Sequence, residues 1–235
     1  MKLRVHGASE VGLVREHNED SFLVDVAHRF FAVADGLGGL PGGEVASQTA
    51  IASLREQLAS RKDLAPLDLG KLVAVAHTAV RLAARSFPPE GIGTTLTALC
   101  LEEGRARFVH VGDSFAFLVR GGACRPITRE HNIENERTSI ADLAPYPPGY
   151  RYALTRVVGT PESVRPDFFQ EDLQTGDHLV LATDGLTDLL DVTAIAALCA
   201  KHGDPAVVVR ELIASALERG GHDNITAIVI VIDEP

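Results

Sequence analysis

The sequence predicts an α+β protein in which β-sheets pack against helices within one domain, residues 1–235. Three observations carry that expectation. Apolar runs of strand length are grouped toward both ends of the chain, and segments of helical periodicity are grouped between them. The composition, 46% hydrophobic and 23% charged residues, is that of an ordinary globular protein and not of a disordered or fibrous one.

Taken in order, Phe22–Val26 and Phe30–Ala34 are short apolar or alternating runs and read as strands. From about Glu44 to Ser86 the pattern is helical. Leu69, Leu72, Val73, Ala76, Val80 and Ala83 recur at helical spacing and form one apolar stripe, while His77 falls off it and is expected at the surface. Strand character returns at Thr95–Leu101, Ala106–Val111 and Phe115–Val119, joined by Glu102-Glu103-Gly104 and Gly112-Asp113-Ser114. Between about Thr128 and Thr160 no face is continuously apolar, and Pro145, Pro147, Pro148 and Gly149 interrupt the pattern. A long excursion of this kind in a compact domain is ordinarily a binding element. Val164–Phe169 and His178–Ala182 resume the strands. Asp191 caps a helix that Gly203 ends, and Asp204-Pro205 opens another that Gly220-Gly221 closes. The last strand is Ile225–Ile232.

Charge narrows the function classes. Twenty-two Lys+Arg against 32 Asp+Glu leave a formal charge of −10, with no dense basic run. Such a chain repels nucleic acid and anionic membrane, so neither is expected as a partner. The first residues carry no apolar stretch fit for a signal peptide, and Ile228–Ile232, the longest clean apolar run, is far too short to span a bilayer. Cys100, Cys124 and Cys199 are widely spaced without a CxxC pair, and Cys100 and Cys199 lie in apolar surroundings. Free buried thiols in a reducing cytoplasm are the expectation.

One arrangement repeats along the chain. Asp35-Gly36, Asp113-Ser114 and Asp184-Gly185 each end an apolar run, and Asp223 stands just before the last strand. If neighbouring strands run antiparallel, these carboxylates meet at one edge, where like charges must take up protons or hold cations. Oxygen-only ligands select hard metals such as Mg²⁺, Ca²⁺ or Mn²⁺, and the Gly36 carbonyl is placed to join them. Arg15-Glu16-His17-Asn18-Glu19-Asp20 adds carboxylates and an arginine just before a strand. A lone Asp-Gly is more often a turn than a ligand, by roughly ten to one. Composition and spacing alone therefore reach an acidic cation-binding domain, catalytic or not.

The ordered set of motifs goes further. Arg15-x-x-Asn18-Glu19-Asp20, Asp35-Gly-Leu-Gly-Gly39, Gly42-Gly-Glu-Val-Ala-Ser47, Gly93-Thr-Thr95, Val111-Gly-Asp-Ser114, Thr183-Asp-Gly-Leu186 and Asp223-Asn-Ile-Thr226 resemble, in order, those of the type 2C metal-dependent serine/threonine protein phosphatases, especially the compact bacterial members. The resemblance implies a central antiparallel β-sandwich flanked by pairs of α-helices, with a loop-rich flap at about 128–160. It further implies two divalent metals (Mn²⁺ or Mg²⁺) and a third, looser one. Asp35 resembles the aspartate that bridges two metals, and Asp184 and Asp223 the further ligands of the first. Gly36, Glu19 and Asp20 resemble the surroundings of the second, Asp113 the residue that helps hold the third, and Arg15 the arginine that grips the substrate phosphate. Phosphoprotein substrates, a cognate Ser/Thr kinase and a monomeric enzyme are what such a resemblance implies.

Some positions depart from the family pattern. Leu37 and Leu40 stand where members carry a histidine, which leaves the general acid unassigned, and Phe115 replaces an arginine after Gly-Asp-Ser. His131 and His222 lie near the motifs and are expected as loop residues, not ligands, because hard metals prefer oxygen. Two rival readings share the motifs: a binding module that keeps the metal without turnover, and a phosphatase for small metabolites.

Overall fold

The structure is a computed structural model and describes residues 1–37, 42–61, 66–88, 92–136 and 149–235. Among these residues, ten strands form two antiparallel sheets. In the first, β1 (Lys2–Glu10), β10 (Ile225–Glu234), β9 (His178–Ala182), β6 (Phe115–Arg120) and β7 (Ala123–Pro126) lie side by side in that order. The second runs β2 (Asp20–Asp25), β3 (Phe30–Asp35), β4 (Leu96–Glu102), β5 (Arg105–Val111) and β8 (Asp167–Asp172). The helices are α1 (Gly43–Ala59), α2 (Leu69–Ala83), the short α3 (Ile133–Glu136) and α4 (Asp184–Thr187), then α5 (Val192–Lys201) and α6 (Pro205–Glu218).

Alternation along the strands sorts their side chains into separate cores. Ile228, Ile230 and Ile232 of β10 pack with Phe31, Leu99, Phe108 and Leu181 between the sheets. The intervening Ala227, Val229 and Val231 face Ile195, Val208, Val209 and Leu212 of α5 and α6. On the far side, Phe30, Ala32 and Ala34 of β3 meet Ala50, Leu54, Val73 and Ala76 of α1 and α2. The layers are therefore helices, sheet, sheet, helices, the sandwich that the family resemblance implied. A strand buried on both faces has no polar side to alternate with, which is why β10 reads as one continuous apolar run.

The helix signals are realised closely. Asp191 Oδ1 accepts from the Ala194 N–H at 2.8 Å and Asp204 Oδ1 from that of Ala206 at 2.9 Å. The first of these helices stops at Lys201, just short of Gly203. The sequence signals no strand at β1 or β7 and no helix at α3 or α4, and β8 lies a few residues beyond the expected Val164–Phe169. β1, β7 and β8 are sheet edges, and β1 and β8 alternate exposed with half-buried residues, so their apolar signal is halved.

His77 is a correction. It is 7% exposed, not a surface residue, and its Nδ1 accepts from the Gly159 N–H at 3.1 Å. The segment around Gly159 covers that side of α2, a tertiary contact that helical periodicity cannot reveal. Of the excursion at 128–160, residues 137–148, including Pro145, Pro147 and Pro148, lie outside the described residues, as do Gly38, Gly39 and Leu40. Cys100 and Cys199 are buried free thiols, as expected, and Cys124 is half-buried. Among the described residues no helix is long and apolar enough to cross a membrane.

Leu181, fully buried between the sheets, tests this packing. Leu181→Ala is expected to lower unfolding free energy by about 2–5 kcal/mol, read as a shift in the urea midpoint with little change in slope.

Candidate metal centre

Strand ends from distant parts of the chain meet at one end of the sandwich. Asp20 opens β2 and pairs in register with Asp35, which closes β3. Asp113 sits in the β5–β6 turn, Asp184 begins α4 after β9, and Asp223 precedes β10. Carboxylate oxygens of Asp35, Asp113 and Asp184 all lie within 4.8 Å of one another. They face a cavity of about 190 Å³ lined by Arg15, Glu19, Asp35, Gly36, Leu37, Thr95, Asp113, Asp184 and Asp223. Of the residues singled out in the sequence for this chemistry, only Asp20 stands outside the wall.

Backbone contacts set these positions. The Gly36 N–H donates to the Glu19 carbonyl at 3.0 Å, and a Cβ on Gly36 would lie 2.2 Å from the Gly43 carbonyl oxygen. Only glycine lets β3 pass so close to the start of α1. Asp35 is gripped by the Gly93-Thr-Thr95 motif: its N–H donates to Thr95 Oγ1 at 2.9 Å, and its carbonyl accepts from the Thr94 hydroxyl at 2.8 Å. Asn224 ties the Arg15 loop to β10, accepting from the Glu19 N–H at 2.8 Å and donating to the carbonyls of Val11 and His17, each at 2.9 Å. Thr183 and Thr226 both donate to Asp20 Oδ2, at 2.8 and 2.6 Å. The sequence motifs contained these threonines and Asn224, but their part in orienting the site depends on contacts 59 to 213 residues apart and carried no local signal.

The remaining expectations also find places. His131 Nδ1 accepts from the Gly112 N–H at 3.1 Å, which braces the turn holding Asp113. His222 is exposed, with Nε2 4.0 Å from Asp188 Oδ2. Phe115 stacks on Phe117 with ring centroids 5.3 Å apart and joins the core beneath α5 and α6, so the position after Gly-Asp-Ser serves packing.

Crowding and burial dominate the electrostatics. Burial, and after it the charges of Asp20, Asp184 and Asp113, holds Asp35 well above the usual carboxylate range. Asp20 and Asp113 are pushed up to about 7 and Asp184 to about 6, burial again coming first. The hydroxyls of Thr226 and Thr183 pull Asp20 back against that rise. Burial also raises Glu19, with Arg15 opposing it. Among the described residues Arg15 is the one cation lining the cavity, and its Nη2 donates to Asp223 Oδ2 at 2.8 Å. A divalent metal fits this arrangement. The donors are all oxygen, the negative charge exceeds what one arginine balances, and Asp20 Oδ1 is a buried acceptor with no partner among the described residues.

A helix-flanked sandwich with an acidic, oxygen-lined centre at one end defines a class of protein suited to hard cations. Residues 14–205 match the family model described as protein phosphatase 2C, and the chain belongs to that family. It is 35% identical, over 97% of its length, to the serine/threonine protein phosphatase PstP of Mycobacterium tuberculosis H37Rv, of which it spans 44%. It is 27% identical to the protein phosphatase PhpP of Streptococcus pneumoniae D39, with 96% of each chain covered. The crystal structure of the PstP catalytic domain in complex with two manganese ions superposes with a TM-score of 0.81, at 33% identity and 97% coverage of both chains.

The raised acids make a prediction for chelator-treated protein. Their folded pKa values exceed the unfolded value of 3.8, so the folded chain binds the extra protons. The resulting stability is fully present below about pH 4 and is lost as pH rises through about 6–7. In EDTA the Tm is expected to fall on the order of 10 °C between about pH 5 and about pH 8, and Mn²⁺ to remove most of that slope. Differential scanning fluorimetry across pH, with and without Mn²⁺, measures both.

Proposed function

We propose that this protein hydrolyses phosphoserine and phosphothreonine esters of phosphoproteins, using two divalent metals, Mn²⁺ or Mg²⁺, held in the acidic cavity. The observation that carries the reading is the convergence of Asp35, Asp113 and Asp184 in one cavity with Arg15 at its wall. Membership of the protein phosphatase 2C family supports it, as does the manganese-bound structure of PstP.

Asp35, Asp184 and Asp223 would hold the first metal. Asp35, the Gly36 carbonyl, Glu19 and Asp20 would serve the second, Asp20 from behind the wall, and Asp113 would serve a third. When bound, the ions supply positive charge for the phosphoryl oxygens and acidify a water so that it attacks at neutral pH. The fork of Arg15 matches two phosphate oxygens, where a lysine would offer a point charge. To reach them, Arg15 exchanges its bond to Asp223 for one to the substrate. Leu37 lines the cavity and has no proton to give, so the leaving alkoxide draws its proton from no side chain at that position. A cysteine nucleophile is disfavoured, since burial pushes the thiols of Cys100 and Cys124 up to about 11 and Cys199 to about 12. Three free thiols support a reducing cytoplasm, where such an enzyme opposes a Ser/Thr protein kinase.

Release of phosphate from a phosphothreonine peptide is expected with Mn²⁺ and is expected to stop with EDTA. Asp35→Asn and Asp184→Asn should each lower kcat by about a hundredfold or more. Arg15→Ala should cost about ten- to a hundredfold in kcat/KM, and Arg15→Lys should recover little of it. Steady-state kinetics on the peptide measure all four variants. Metal binding by calorimetry without turnover of any phosphate ester would instead identify a binding module.

A further inference from the structure

Two apolar side chains beside the cavity have no partner in the chemistry above. Leu13 and Val14 are each 67% exposed, more than any other large apolar side chain among the described residues. They immediately precede Arg15. A single exposed apolar residue is ordinary; a contiguous pair abutting a substrate-gripping arginine is not.

The loop that presents them is pinned. The Leu13 N–H donates to the Gly221 carbonyl at 2.7 Å. Gly12, at φ +83°, packs so tightly on the turn before β10 that a Cβ there would lie 2.2 Å from the Asp223 carbonyl oxygen. Asn224 holds the loop at Val11 on one side of the pair and at His17 on the other. Leu13 and the partly buried Leu217 both lie close to Gly221. Pre-ordered apolar surface held in water does nothing for the free protein, but it reduces the ordering cost of binding a partner.

We propose that Leu13 and Val14 contact an apolar side chain flanking the phosphorylated residue of the substrate, and so bias the enzyme toward phosphopeptides with an apolar flank. The inference rests on the phosphatase reading above. Continuity with the cavity identifies the occupant. With Cα atoms 3.8 Å apart, Leu13 lies within about 7 Å of Arg15 along the chain. An extended peptide advances about 3.3 Å per residue, so three residues on either side of the phosphoresidue span about 10 Å. An apolar flank buries surface against the exposed Leu13 and Val14.

Phosphothreonine peptides carrying Leu or Ser at each of the three positions on either side, assayed with Mn²⁺, test this. At one or more positions the wild type is expected to show kcat/KM about tenfold higher for Leu than for Ser. The Leu13→Ser/Val14→Ser double variant should bring that ratio close to one, and Leu13→Ile/Val14→Ile should keep it. p-Nitrophenyl phosphate, too small to reach Leu13, reports the metal centre alone. A wild type indifferent to the flank overturns the proposal, and so does a Ser variant that loses the small ester and both peptides in equal proportion. No turnover of any ester by the wild type instead overturns the phosphatase reading itself.

Discussion

Mutual repulsion among Asp20, Asp35, Asp113 and Asp184 is the interaction around which the rest of this molecule is arranged. Each is largely withdrawn from water, and each is driven toward its protonated form by that burial and by its neighbours. Buried like charges are tolerated only when something positive is brought among them or when protons are taken up. A chain that carries ten more acidic than basic charges concentrates its strongest local excess where cations are useful. That part of its acidity belongs to the centre and is not a surface property.

Holding these groups together against repulsion requires a stiff frame. Central strands buried on both faces supply it, because their packing leaves little room for the strand ends to retreat. Hydrogen bonds then aim each carboxylate. Thr183 and Thr226 fix Asp20 from β9's end and from β10, while Thr94 and Thr95 fix the backbone of Asp35. Asn224 joins the Arg15 loop to the last strand. Arg15 and its apolar neighbours Leu13 and Val14 therefore inherit the rigidity of the sandwich, although they lie on a connection between strands. The chemistry is then a property of the frame as much as of the acids.

Much of this was legible residue by residue. Apolar runs ending in aspartate marked Asp35, Asp113 and Asp184, and capping residues marked α5 and α6, because strand burial and helix caps leave signals within a few residues. Edge strands were harder. β1 and β8 alternate exposed and half-buried residues, and half an apolar signal blends into the surrounding polar sequence. His77 was misplaced for a related reason: a helical stripe describes one face, whereas the segment around Gly159 covers another.

By itself the sequence determined which residue types were present for the chemistry: oxygen donors in excess, one arginine beside them, no paired cysteines, and motifs in the order of the protein phosphatase 2C family. Only the tertiary structure decided which of those groups share a cavity. It placed Asp20 behind the wall and Asp35, Asp113 and Asp184 on it, engaged Arg15 with Asp223, and left Leu13 and Val14 exposed just before Arg15. The physical reason is range. Propensity, capping and alternation act over a few residues, whereas repulsion, burial and the hydrogen bonds that restrain them act between strand ends as far as 206 residues apart, and exist only once the sheets have stacked.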